Sequence, residues 1–122
     1  MALVLFEIRD NIALLTLNNP DKRNMLTLEV CAQIVDYVAQ AEQHPEVKVL
    51  IVTGAGKAFC AGGQLKDLTP NQEVLETIYS GFLSIANCTL PTIAAINGPA
   101  VGAGFNMAVG CDVRIVTERA RF

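Results

Sequence analysis

The chain has 122 residues and a formal net charge of −3; 52% of the residues are hydrophobic, 6% are aromatic, and there is no tryptophan. That length suits one domain able to bury roughly two-thirds of the surface its unfolded form exposes, and the slightly acidic balance offers nucleic acid no general basic field. The apolar opening from Met1 to Phe6 is too short for a signal segment, Glu7, Arg9 and Asp10 follow at once, and no apolar run approaches membrane-spanning length; the expectation is a soluble cytoplasmic protein with neither a nucleic acid nor a membrane as partner.

Taken in chain order, Leu3 to Arg9 and Ile12 to Leu17 are apolar runs flanking the turn signal Asp10-Asn11, which predicts a β-hairpin. Asn18 to Asn24 is a polar loop. Thr27 can then cap a helix to about Gln43, with Glu29 in its first turn and Cys31, Ile34, Val35 and Val38 on one face. His44-Pro45-Glu46 breaks that helix, and the β-branched run Val47 to Thr53 suits a buried parallel strand. A loop from Gly54 to Gly63 leads through Gln64-Leu65-Lys66-Asp67 to a second helix, about Asn71 to Ala86, with Val74, Ile78, Phe82 and Ile85 as its apolar stripe. Thr92 to Ile96 is another buried strand, a glycine turn opens a short helix to Gly110, and Asp112 to Thr117 is a last strand. The order strand, helix, strand gives an α/β fold with right-handed crossovers, and both glycine-rich turns fall beyond strand C-termini, where ligands of such sheets gather.

Cys31, Cys60, Cys88 and Cys111 contain no pair at C-x-x-C spacing, and His44 is the single histidine, so a metal site is not expected. The thiols read as small, reduced packing residues; Cys60 stands out because it lies in a glycine-rich turn. That turn, Gly54-Ala55-Gly56-Lys57-Ala58, lacks the glycine spacing and the Ser/Thr of a nucleotide loop. The second turn, Gly98-Pro99-Ala100-Val101-Gly102-Ala103-Gly104, brings glycines to the start of a helix, whose outward amides suit an anion or a developing oxyanion. An NAD(P)-dependent reductase of dinucleotide-binding fold is the rival reading. Against it, the turn comes late in the chain, Asp112 follows too soon to bind a ribose, and neither Tyr37 nor Tyr79 has a lysine four residues on.

Both turns, in order and spacing, resemble the crotonase superfamily of enoyl-CoA hydratases and isomerases. The likeness runs from LNNPDKRNMLTLE (Leu17 to Glu29) through VLIVTGAGKAFCAGGQLKDL (Val49 to Leu68) to PTIAAINGPAVGAGFNMAVGCDVRIVTERARF (Pro91 to Phe122). It implies a ββα spiral core, here about half the length of a usual family chain and truncated before the C-terminal part. It also implies a coenzyme A thioester as substrate or ligand, no permanently bound cofactor, and a carbonyl oxygen held between the backbone N–H groups of Gly63 and Ala103. Losing one such donor typically raises a barrier by about 3 to 4 kcal/mol. Glycine at 62, 63, 102 and 104 keeps side chains from blocking that approach; the resemblance makes Ala61 substrate-binding and matches Gln64, Leu65 and Lys66 to the stretch that holds adenine and pantetheine, although Gln64 replaces the family's common aspartate. Lys22 and Arg23 resemble its phosphate contacts, with an ordinary solvated loop as the other reading. Met25 lines the same pocket or packs the helix entry; Lys57 is equally ambiguous.

Asn106 occupies the position of the first of two glutamates that work on a water in the hydratases, and an asparagine cannot serve there as a base at neutral pH. It orients water or holds local structure. The carboxylate used by isomerases of the superfamily lies beyond Phe122, so this segment alone is expected to have negligible hydratase activity. Two functional classes remain: an acyl-CoA isomerase or related enzyme of fatty-acid or carboxylic-acid metabolism, and a noncatalytic acyl-CoA-binding or interaction module. The family's trimers form largely through its C-terminal half, so an association through exposed apolar surface, giving a non-native or intertwined homo-oligomer, is expected here.

Overall fold

The computed structural model describes residues 2–63 and 71–122. Its centre is a five-stranded sheet in the order β1-β2-β3-β4-β5, formed by β1 (Val4–Arg9), β2 (Ile12–Leu17), β3 (Val49–Gly54), β4 (Thr92–Ile96) and β5 (Val113–Val116). Only β1 and β2 are antiparallel; every later pairing is parallel. The hairpin between them turns at Asp10 and Asn11, whose φ values of 52° and 70° are what a tight two-residue connection demands.

One face of the sheet is built from alternate residues, Ala13, Leu15 and Leu17 of β2 meeting Leu50 and Val52 of β3 and Ala94 and Ile96 of β4, all fully buried. Each such side chain contributes roughly 1.5 to 3 kcal/mol of burial when it is large. Helix α1 (Leu28–Gln43) closes that face, and its entry is fixed by Thr27, whose hydroxyl accepts from the Val30 N–H at 3.1 Å. Val30, Cys31, Ile34, Val38 and Ala41 form its buried stripe. Val35, expected on that stripe, is 38% exposed: it lies one position past Ile34, about 100° around the helix. Phe6 stacks on Tyr37, ring centroids 4.7 Å apart, and ties the hairpin to the helix.

Helix α2 (Gln72–Ala86) begins at Asn71, whose side chain accepts from the Val74 N–H, and buries Ile78, Gly81 and Ile85, with Val74 and Phe82 partly buried beside them. Helix α3 (Ala103–Gly110) follows the second glycine turn. Strand β3 starts two residues later than the β-branched run suggests, because Val47 closes a turn through its N–H to the His44 carbonyl. Asp112 lies just before β5: its carboxylate accepts from the Thr92 N–H at 2.9 Å, while its own N–H donates to the Thr92 hydroxyl. The opposite sheet face is apolar and open at its far edge, with Val113 and Ile115 more than half exposed, and Tyr79 and Leu83 of α2 are similarly uncovered. Among the described residues no helix is long and apolar enough to cross a membrane.

Three connections leave the carboxyl edge of this sheet in the same region: the loop after β2, the first glycine turn after β3 and the second after β4. The site is made where they meet.

Candidate functional site

The loop after β2 makes a short 3-10 turn, Pro20–Lys22, and then passes through Arg23 and Asn24 at φ 54° and 58°. Its backbone then joins the first glycine turn: the Ala61 N–H donates to the Arg23 carbonyl at 2.9 Å and the Leu26 N–H to the Gly62 carbonyl at 2.7 Å. The first turn joins the second in the same way. The N–H groups of Phe59 and Cys60 donate to the Pro99 carbonyl, and the Val101 N–H donates to the Cys60 carbonyl at 3.0 Å.

These ladders bring the residues before the two expected donors together. Gly102 has φ 57° and ψ −122°, a conformation essentially closed to residues with a side chain, and a Cβ built there would lie 3.9 Å from the Gly62 Cα. Two residues on, a Cβ at Gly104 would run into the Cys60 carbonyl oxygen and come within 2.8 Å of its Cβ, so only glycine lets α3 sit this tightly on the first turn. Gly102 also leaves the helix without a side-chain cap. The Gly104 N–H turns back to the Val101 carbonyl, and the Asn106 N–H makes the first helical bond to Gly102. Among the described residues no group accepts the N–H of Ala103 or of Gly63.

Gly63, Gly102, Ala103 and Asn106 line one cleft of about 310 Å³, walled by Leu75, Ile78 and Tyr79 of α2. The floor thus carries two backbone donors with no acceptor among the described residues, and the walls are mainly apolar. Asn106 is exposed within α3 and its side chain bonds to no described residue, so it caps no local backbone there. Among the described residues no carboxylate lines this cleft.

A second cleft, of about 530 Å³, is lined by Pro20, Arg23, Lys57, Ala58, Ala61, Pro99 and Val101. Neighbouring residues of the same two turns therefore serve both clefts: Ala61 and Val101 line this one, Gly63 and Gly102 the other. Arg23 and Lys57 bring two positive charges to its wall. Lys22 is exposed and Met25 half-buried, and neither is among the described residues lining these two clefts. Gln64, Leu65 and Lys66, together with Asp67, lie outside the described residues.

Cys60 is buried at the junction, and burial pushes its thiol up to about 11, partly offset by the backbone N–H of Gly62. It is a neutral packing group at physiological pH rather than a nucleophile. All four cysteines are free thiols. Sequence reasoning missed Asn24 and Asn97, the side chains that join the three connections. Asn24, only 2% exposed, donates to the carbonyls of Ala55 and Ala58, both at 2.9 Å. Asn97 donates to Gly56 and Ala58 at 3.0 and 3.1 Å. The available signal was positional: Asn24 sits in the left-handed region after a 3-10 turn, and Asn97 leaves β4 just before a glycine.

A mainly parallel sheet with two glycine turns joined beyond its strand C-termini defines an α/β protein of the kind whose ligands gather at that edge. The sequence narrows this further, since residues 7–122 match the family model described as enoyl-CoA hydratase/isomerase, and the chain belongs to that family. It is 47% identical over 124 residues to a probable enoyl-CoA hydratase of Mycobacterium tuberculosis, covering 98% of this chain and 48% of that protein. It is 33% identical over 131 residues to the 1,2-epoxyphenylacetyl-CoA isomerase of Escherichia coli, covering 100% of this chain and 50% of the other. A solved enoyl-CoA hydratase/isomerase from Xanthobacter autotrophicus superposes with a TM-score of 0.92 at 33% identity, over 98% of this chain and 47% of that one. The chain thus has the crotonase-type fold expected of it and spans about half the length of the curated relatives it matches.

Proposed function

We propose that this segment binds a coenzyme A thioester and polarises its carbonyl, as the acyl-CoA-binding half of a hydratase/isomerase-type enzyme. The observation that carries the reading is the pair of unspent N–H groups, Gly63 and Ala103, in one cleft with apolar walls. A thioester carbonyl set between them gains negative charge as an enolate forms, and preorganised donors in a water-poor site stabilise that charge far more than water does. The α3 N-terminus adds its partial positive charge. The acyl chain would lie against Leu75, Ile78 and Tyr79, while the pyrophosphate end would meet Arg23 and Lys57 in the neighbouring cleft, with Lys22 near its entrance. No permanently bound cofactor is required by this chemistry.

Asn106 stands where a hydration base would be wanted and can only hydrogen-bond. With no carboxylate lining the cleft among the described residues, a base for proton transfer would come from outside that lining. The same observation favours a second reading, a noncatalytic acyl-CoA-binding module. The two separate on one experiment, Ala103→Pro. Proline fits the first position of a helix and removes only an N–H that has no acceptor there. Measured in the enzyme that carries this segment, the enzyme reading expects turnover of a short enoyl-CoA to fall about 10²- to 10³-fold with free coenzyme A binding retained; thioester binding without turnover by that unsubstituted enzyme selects the binding module. Absence of any coenzyme A or thioester binding by calorimetry rejects both. The apolar surface on Val113, Ile115, Tyr79 and Leu83 supports self-association, to be measured by light scattering.

A further inference from the structure

The carbonyl of Ala58 receives two side-chain amides from distant parts of the chain, Asn24 at 2.9 Å and Asn97 at 3.1 Å. Each amide is used at both ends. The Asn24 oxygen accepts from the Asn19 N–H at 2.8 Å, closing its own loop, and the Asn97 oxygen accepts from the Gly54 N–H at 3.3 Å, at the end of β3. Their remaining N–H bonds reach Ala55 and Gly56, so four carbonyl contacts fix the path of the first turn before it arrives at Gly63. Ala58 is 5% exposed, and a side chain at Gly98 would come within 2.8 Å of the Lys57 carbonyl carbon, so the backbone around this node has no slack.

We infer that Asn24 and Asn97 are positioning residues that set, through the Ala58 carbonyl, where the two donor turns and the cationic loop stand relative to one another. Their tasks differ because their locations differ. Asn97 begins the turn that presents Ala103 and holds the turn that presents Gly63; it fixes the separation of the two donors. Asn24 follows Lys22 and Arg23 and holds their loop to the first turn; it fixes the cations against the cleft that Arg23 and Lys57 share. Asn24 is buried and Asn97 half-buried, and removing either amide takes one of the two donors from the Ala58 carbonyl and the side-chain donor from Ala55 or Gly56.

The functional half of this inference rests on the thioester reading above, and the experiment separates the two. In the unsubstituted protein, the side-chain amide protons of Asn24 and Asn97 are expected to exchange slowly by NMR; free exchange of both overturns the node without any need for a variant. In Asn97→Ser, the backbone amide signals of Gly63 and Ala103 are expected to shift more than those of α1, with no ligand present; unmoved signals overturn the inference. With 2,4-hexadienoyl-CoA as probe, whose ultraviolet band moves to the red as its carbonyl is polarised, Asn97→Ser is expected to lose at least half of that movement at saturation. Its affinity for free coenzyme A should change less than threefold. Asn24→Ser is expected to reverse the pattern, weakening free coenzyme A about tenfold with the red shift of the bound probe retained. Equal losses in both readouts for both variants would mean general loosening and overturn the division of tasks. No binding by the unsubstituted protein rejects the thioester reading alone, and the unliganded NMR measurements then decide the positioning role by themselves.

Discussion

The two glycine turns reach the same cleft by different means. The second turn is local: Gly102 takes a backbone conformation closed to other residues, α3 starts at once, and the Ala103 N–H is left over because a helix cannot satisfy its own first donors. The first turn has no helix to shape it before Gly63. It is held from outside, by Asn24 and Asn97 reaching across 34 and 39 residues to Ala58 and by backbone bonds from the loop after β2 and from the second turn. One donor is therefore presented by secondary structure and the other by tertiary structure, which makes the first turn the more dependent on the integrity of the whole edge.

Substitutions can break this contrast in graded steps. The largest expected effect is that of Ala103→Pro, which deletes the locally presented donor and should cost about 3 to 4 kcal/mol of barrier while thermal unfolding moves little, as read by turnover and calorimetry. Next, Gly104→Ala forces a methyl into the Cys60 carbonyl and should destabilise the fold by about 1 to 3 kcal/mol in denaturant unfolding, because neither backbone can retreat. Gly102→Ala makes only an ordinary contact with the Gly62 Cα, so its cost is conformational, about 1 to 3 kcal/mol. If Gly102→Ala proved the more damaging of the two, close packing would not be what joins the turns.

The smallest effect concerns the buried thiols. Burial, with a further push from Cys60, raises Cys31 to about 12 from the ordinary 9.0, and Cys60 rises to about 11. The unfolded chain therefore loses these protons near pH 9 while the folded chain keeps them. Their favourable contribution is complete below pH 9 and is lost as the pH rises toward 11 and 12. Unfolding midpoints should fall modestly above pH 9, and Cys60→Ala should flatten part of that slope. Thiol reagents at pH 8 should modify half-buried Cys88 before the other three.

The same contrast explains what the sequence revealed. Local signals were readable: Asp10-Asn11 as a hairpin, Thr27 and Asn71 at helix starts, Thr92 to Ile96 as a strand, and Gly102 to Gly104 as a helix-opening turn. Each depends on neighbours a few residues apart. Val35 was misplaced because three helical positions bounded by apolar residues look alike until the partner surface is known. Asn24 and Asn97 were unreadable for a stronger reason. A side chain that bonds backbone more than thirty residues away leaves no period and no spacing, only a residue type that also suits a turn. The division of the site residues between two clefts was equally hidden, since Ala61 and Gly63 differ by two positions in the sequence but serve different spaces.

Strand order carries one more consequence. Because β3 and β4 are adjacent parallel strands, the turns that leave their ends begin about 4.8 Å apart, whatever side chains they bear. Two N–H donors bonding a single oxygen at about 2.9 Å can stand at most about 5.8 Å apart. The ladder of the sheet thus starts the two turns at a spacing of that order, and the bonds that tie the turns together beyond the strand ends carry it on to Gly63 and Ala103.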